Sequence, residues 1–182
     1  MSALGRRIGD PAMTPVLPHT KTYGRVLELL HHEAELLDAY RFSEWVELFA
    51  PEVEYRMPVR TTQFLTDGEG FHDVDFFVDD HATLVTRVKR LETEFAWAET
   101  PPSRTRHYVA NLRLQEGDDG ELAARVNFMV TRTRQDLDYQ LFTGQRLDRL
   151  VRADTDAGFL VRRRTILVDQ TVITNTNLSV LF

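Results

Sequence analysis

The feature that most constrains the fold is a change of hydrophobic period part-way along the chain. Up to about residue 91 the apolar side chains recur at helical spacing, whereas beyond about residue 105 they alternate. Tyr23, Val26, Leu27, Leu30, Ala34 and Leu37 mark one face of a helix starting near Thr20, with Glu28, His31, Glu33, Glu35 and Asp38 assigned to its polar side. Ser43 is placed to cap a second, shorter helix bearing Trp45, Leu48 and Phe49, with Pro51 at its end. Asp79 and Asp80 open a third, whose apolar side is Leu84, Val88 and Leu91. Between these, Val53, Tyr55, Met57 and Val59 alternate with polar residues as in a half-buried strand, with Pro58 at an edge or bulge, and residues 61–77 read as a loop rich in Gly and Asp.

Segments 106–115, 122–134, 139–151 and 159–170 then read as long strands. Turns are predicted at Gly117–Gly120, near Asp136, and at Asp154–Gly158. Helices first and hairpin-linked strands afterwards specify an α+β domain, one curved antiparallel sheet wrapped over a helix layer. Pro11, Pro15 and Pro18 deny helix to the start of the chain, so the predicted organisation is a flexible arm over residues 1–20 and a single domain over 21–182.

Charge and composition exclude several functions. With 28 acidic and 22 basic residues, the net charge of −6 repels a polyanion, so nucleic acid is not an expected partner. Arg162, Arg163 and Arg164 form the one dense basic run, but they lie in an alternating stretch, which favours a solvated or paired face. The absence of cysteine removes disulfides, thiolate nucleophiles and thiolate-held iron–sulfur clusters. The proline-interrupted N-terminal segment does not read as a signal peptide, and no run approaches the apolar length of a membrane-spanning helix. A cytoplasmic protein without membrane association is therefore expected.

Among the six histidines, His31 and His32 are adjacent on a helix and point about 100° apart, which does not suit two ligands of one metal. His72, Asp73 and Asp75 share an acidic loop without the further carboxylates of an ordered calcium site. No phosphate-binding glycine loop, nucleophile elbow or HExxH helix occurs. Asp38, Tyr55, His107 and Tyr139 are residue types that could move a proton in a pocket, although each also has a structural reading.

The most unusual stretch is Phe95-Ala96-Trp97-Ala98-Glu99-Thr100-Pro101-Pro102-Ser103-Arg104-Thr105-Arg106-His107, where two prolines lead directly into alternating basic residues. It resembles a signature of the small β subunits of Rieske-type aromatic-ring-hydroxylating dioxygenases. Further blocks resemble the same family in the same order. They are Leu36-Leu37-Asp38 with Trp45, the strand Tyr55 to Arg60, Gly144-Gln145-Arg146-Leu147-Asp148, and Arg164 to Gln170 with Asn177-Leu178-Ser179. The similarity runs from about Tyr23 to Phe182, with the biphenyl- and polycyclic-hydrocarbon-oxidising branches closest in appearance.

The resemblance implies a nuclear-transport-factor-two-like cone. It further implies a trimer of β subunits beneath three iron-bearing α subunits, with the Rieske cluster and mononuclear iron in α and no cofactor or catalytic centre in this chain. The residues it marks as structural or interfacial are Trp97, Glu99, Pro101, Pro102, Ser103, Arg104, Arg106 and His107, together with Arg146, Asp148 and Asp169. Strand alternation places Arg104 and Arg106 on one face and His107 on the other. The two arginines are expected to be buried against carboxylates, with Glu92, Glu99, Asp148 and Asp169 as candidates. The alternative reading is a stand-alone cone-fold isomerase, dehydratase or hydrolase with an internal acid/base pair.

Overall fold

The computed structural model describes residues 13–61, 70–92, 103–134, 138–171 and 180–182. Helix α1 (Lys21–Asp38) starts where the Thr20 hydroxyl accepts the Tyr23 N–H at 3.3 Å, which satisfies one of the donors a helix start leaves open. It stops at Tyr40, whose positive φ of 59° lets the Arg41 N–H fold back to the Leu36 carbonyl at 2.9 Å. Helix α2 (Phe42–Val46) is shorter than predicted. Its cap position is Arg41, whose guanidinium pairs with Glu44, so Ser43 lies inside the helix instead of capping it. Helix α3 (His81–Glu92) begins as expected: the Asp80 carboxylate accepts the Thr83 N–H at 2.8 Å, and Leu84 and Val88 are buried.

Seven strands form one sheet: β1 (Met13–Val16), β2 (Phe49–Arg60), β3 (Phe71–Asp79), β4 (Arg104–Gly117), β5 (Leu122–Arg134), β6 (Asp138–Arg152) and β7 (Phe159–Val168), in the order β1-β4-β5-β6-β7-β2-β3. The four long alternating segments are β4 to β7, and Gly117–Gly120 and Asp154–Gly158 are turns. The expected turn near Asp136 lies outside the described residues.

Three expectations are corrected. The sheet is mixed, because β2 pairs with β7 in parallel; hairpin turns fix an antiparallel sense only between successive strands, and no turn joins these two. The predicted loop over 61–77 contains the start of β3, whose Phe71, Phe77 and Val78 supply the β character that the flanking Gly and Asp residues obscured. Within the predicted arm, Met13–Val16 pairs with Leu114–Gly117 of β4, using an edge that would otherwise carry unpaired amide groups. Pro58 sits at a register shift between β2 and β3, the bulge the sequence allowed.

The inner face of the sheet closes over α1 and α2. Val26, Leu30, Leu36 and Leu37 of α1 meet Val126, Phe128 and Val130 of β5 and Ile166 and Val168 of β7 in one cluster. Trp45, Phe49 and Tyr55 meet edge to face, with centroids 4.8 to 6.0 Å apart. Gly144 of β6 is set where no side chain fits, since a Cβ there would run into the Leu167 backbone carbonyl and the Phe128 ring. Gly144→Ala should therefore cost about 1–3 kcal/mol through backbone overpacking. Gly24→Ala in α1, where an added Cβ has no atom within 4 Å, should raise stability instead. Thermal melts of the two variants check this, and a Gly144→Ala protein melting at or above the wild type would contradict the packing account.

Candidate functional site

The helix seam that runs Val26, Leu29, Leu30, Leu36 and Leu37 has a carboxylate in its middle. Glu33 lies seven residues from Val26 and three or four from Leu30 and Leu37, so it belongs to the apolar stripe and not to the polar side where the sequence reading placed it. Strand parity does the same to three more charges. Arg146 and Asp148 point inward with Phe142 and Leu150 on β6, and Arg164 points inward with Ile166 and Val168 on β7.

These four residues, two of each sign, form one buried cluster. Arg164 donates from Nε and Nη2 to the two Asp148 carboxylate oxygens at 2.8 Å each. It also donates from Nη1 and Nη2 to Glu33, and from Nη1 to the main-chain oxygen of Phe182 at 3.0 Å. All the donors of its guanidinium are thereby used. Arg146 Nη2 donates to Glu33 at 2.7 Å, and the Trp45 indole N–H donates to the same carboxylate at 3.0 Å.

Burial alone would push the Glu33 carboxyl up, but Arg146 and Arg164 beside it reverse the effect and hold it down at about 2. Arg164 is affected in the mirror sense, with burial opposing and Asp148 and Glu33 overriding it, so its value is raised. The Tyr55 hydroxyl, pushed up to about 12 chiefly by burial, stays neutral; it donates to the Phe182 oxygen at 2.9 Å and accepts the Phe182 N–H at 3.1 Å.

A second junction lies where α1 ends. The Asp38 carboxylate accepts the His107 backbone N–H at 3.2 Å and meets His107 Nδ1 at 2.6 Å, while His107 Nε2 lies 3.0 Å from the Leu181 carbonyl. Both ring nitrogens therefore face acceptors. Of the proton-moving candidates, the fold brings together only Asp38 and His107. The Tyr55 hydroxyl is spent on Phe182, and Tyr139 is 65% exposed on the outer face of the sheet.

The dyad and the ion cluster border the same internal space, which Phe182 fills with its ring against Phe128 and Phe142 at centroid distances of 5.4 and 5.7 Å. Among the described residues the cavity there measures about 10 Å³, room for one water molecule. A larger groove of about 240 Å³ between α1 and β4 is lined by Tyr23, Leu27 and Asn111, and it brings no acid/base pair together. Among the described residues no group of three His, Asp or Glu side chains is arranged to hold a metal ion.

The signature segment divides across these features. Ser103 is buried, and its carbonyl accepts the Tyr40 hydroxyl at 2.9 Å, which ties the start of β4 to the end of α1. Arg104 and Arg106 share one face and His107 takes the other, as alternation required. Their predicted burial is wrong, however. Both arginines face outward; Arg106 has a side chain 67% exposed and comes only within 3.5 Å of Asp38. The buried guanidiniums are instead Arg146 and Arg164, because the strand parity that aims His107 at the core sends its even-numbered neighbours to the surface. Asp148 is a buried partner as proposed, but to Arg164 and Arg146; Asp169 approaches Arg60 at 3.6 Å near the surface. Trp97, Glu99, Pro101 and Pro102 lie outside the described residues, as does the side chain of Glu92. Sequence reasoning missed Glu33, the inward parity of Arg164 and the insertion of Phe182.

Among the described residues, the interior of the cone is filled by its own aromatic and ionic side chains. A family described as the ring hydroxylating beta subunit matches residues 32–175. The chain is 38% identical over 160 residues to the benzene 1,2-dioxygenase subunit beta of Pseudomonas putida, covering 85% of this chain and 86% of that one. It is 37% identical over 175 residues to the chlorobenzene dioxygenase subunit beta of Cupriavidus sp. (strain PS12), covering 92% and 91%. It is 35% identical to the biphenyl 2,3-dioxygenase subunit beta of Rhodococcus jostii (strain RHA1) over 160 residues, covering 85% and 86%. In fold it is similar to a chain of naphthalene 1,2-dioxygenase solved with indole bound in the active site, with a TM-score of 0.77, 21% identity and coverage of 87% and 84%. The chain belongs to the ring-hydroxylating dioxygenase β-subunit family.

Replacing Glu33 by Gln leaves Arg164 and Arg146 short of a counter-charge and should cost about 3–5 kcal/mol near neutral pH. The effect has a definite pH dependence. An unfolded chain takes up the Glu33 proton near 4.5 and the folded one holds out to about 2, so the stabilisation is complete above 4.5 and is lost as pH falls towards 2. The gap in melting temperature between wild type and Glu33→Gln should therefore narrow across that window. A gap constant between pH values of about 5 and 2.5 would contradict the ion-cluster account.

Proposed function

We propose that this chain is the non-catalytic scaffold of the terminal oxygenase of an aromatic-ring-hydroxylating dioxygenase. β subunits of these dioxygenases pair with an α subunit. On this reading three copies of the chain form a trimer beneath three α subunits, and the Rieske cluster and mononuclear iron reside in α. The observation that carries the proposal is the filled cone: among the described residues the Asp38–His107 dyad borders room for a single water, and its outer ring nitrogen, His107 Nε2, is spent on the Leu181 carbonyl. That same observation disfavours the stand-alone isomerase, dehydratase or hydrolase. The absence of cysteine supports placing the cluster elsewhere, since a Rieske centre needs two cysteines beside two histidines.

The relatives named for benzene, chlorobenzene and biphenyl support an arene of one or two rings as the substrate of the whole oxygenase. No helix among the described residues is long and apolar enough to cross a membrane, and we place the complex in the cytoplasm, where reduced electron carriers are available.

Co-expression with its α partner, followed by light scattering and metal analysis, tests the proposal. The expected particle contains three α and three β chains, with arene oxidation and iron present only when α is present. The chain alone should be colourless and inactive. One tightly held iron per β chain, or a monomeric β chain that ignores α at micromolar concentration, would overturn it.

A further inference from the structure

His107, where β4 passes the end of α1, is enclosed by acceptors on both sides of its ring. Nδ1 lies 2.6 Å from the Asp38 carboxylate, and Nε2 lies 3.0 Å from the Leu181 carbonyl. A carbonyl oxygen accepts hydrogen bonds and donates none, and the same holds for an ionised carboxylate. A neutral imidazole carries a single N–H. Whichever tautomer it adopts, one ring nitrogen then turns a lone pair toward another lone pair. The imidazolium, with hydrogen on both nitrogens, is the form that satisfies the two contacts together.

The surrounding charges favour that form. Asp38 is approached by donors, the His107 backbone N–H at 3.2 Å and the Arg106 guanidinium at 3.5 Å, which suits a carboxylate. The Arg106 side chain is 67% exposed and its charge is screened by water, whereas the His107 side chain is 8% exposed. Across the internal space Glu33 of α1 and Arg146 of β6 border the same cavity as the ring, and they pair with each other at 2.7 Å. The nearby Tyr40 hydroxyl is committed to the Ser103 carbonyl. Among the described residues Asp38 is thus the carboxylate that meets the ring.

We propose that His107 is held as an imidazolium and that its second proton latches residues 180–182 into the cone. With that proton in place, one ring ties α1 through Asp38 and the final residues through Leu181. When the proton passes from Nε2 to a base in solvent, the Nδ1–H stays on Asp38 and the Nε2 lone pair faces the Leu181 oxygen. The contact changes from attraction to repulsion, and residues 180–182 keep the bonds that Phe182 makes to Tyr55 and Arg164. Val180, Leu181 and Phe182 are buried, and the Phe182 ring fills the space beside the dyad. The filling of the cone therefore depends on a proton: the latch is closed at lower pH and opens as pH rises.

Selective isotope labelling of histidine in the full chain, read by nitrogen NMR at neutral pH, tests the charge state. The spectrum of His107→Gln assigns the signal among the six histidines; should that variant not fold, the signal is the one moved by Asp38→Asn. Both ring nitrogens are expected to show bound hydrogen. A neutral His107 ring, in either tautomer, overturns the proposal.

Hydrogen exchange of the amides of residues 180–182, followed as pH is raised above neutral, tests the latch. The β5 amides of the same chain serve as the reference that cancels base catalysis of exchange. Relative to them, residues 180–182 should lose about tenfold in protection, the equivalent of one hydrogen bond. Asp38→Asn offers Nδ1 an amide that donates to a neutral ring or accepts from a charged one, so in that variant the loss should disappear. Protection that does not change with pH in the wild type, or that falls equally in a folded Asp38→Asn chain, overturns the latch.

Discussion

The buried cluster of Glu33, Arg146, Asp148 and Arg164 is the interaction on which the rest of the fold depends. Moving any one of these charges out of water is expensive, and their mutual attraction offsets that cost only when geometry and hydrogen bonding are nearly complete. Here two acids meet two bases, and Arg164 uses every donor it has. The cluster draws on α1, β6 and β7 and reaches the main chain of Phe182, so it fixes the helix layer, the sheet register and the position of the final residues together. Asp148 stands directly opposite Arg164 on β6 and β7, and Tyr55 opposite Arg164 on β2. A one-residue slip of β7 would carry Arg164 to the outer face and break its bonds to Asp148 and Glu33. The register is thus defended by electrostatics as well as by packing.

The same cluster helps to fill the inside of the cone. Residues 180–182 are buried, their main chain held by Arg164, Tyr55 and His107, and the Phe182 ring occupies space that a substrate would need. The Asp38–His107 pair has the residue types of a proton relay but acts as a clamp between α1, β4 and Leu181. An acid/base pair needs an exchangeable partner within reach, and here the partner is backbone.

Much of this was legible in the sequence, and the failures have physical causes. The change from helical to alternating spacing located α1, α3 and β4 to β7, because long amphipathic elements repeat their signal many times. The start of β3 was lost among neighbouring Gly and Asp residues, and the parallel pairing of β2 with β7 has no local signature, since no turn joins them. Glu33 was misassigned because a charge was given to the polar side by type when its seven-residue spacing from Val26 put it on the apolar one. Arg164 had the parity of Ile166 and Val168, but a register shift between Val161 and Arg163 breaks the alternation that would have shown it. Four charges of balanced sign at inward positions were the available signal for the cluster, and it emerges only when helix and strand periods are considered together.

The signature segment joins these two levels of organisation. In strand β4 the odd-numbered His107 reaches inward to Asp38, while Arg104, Arg106 and Tyr108 point outward from the same few residues of backbone. The inward contacts hold β4 rigidly against the end of α1, helped by the Tyr40 bond to the Ser103 carbonyl. Rigidity there means that the outward side chains are presented in fixed rows, with little further ordering entropy to lose when a partner covers them. Arg113 stands directly opposite Arg125 on this face, a like-charge pairing that is unfavourable in a sheet. Strand β4 is thus anchored by His107 on one side and presents a row of exposed arginines on the other.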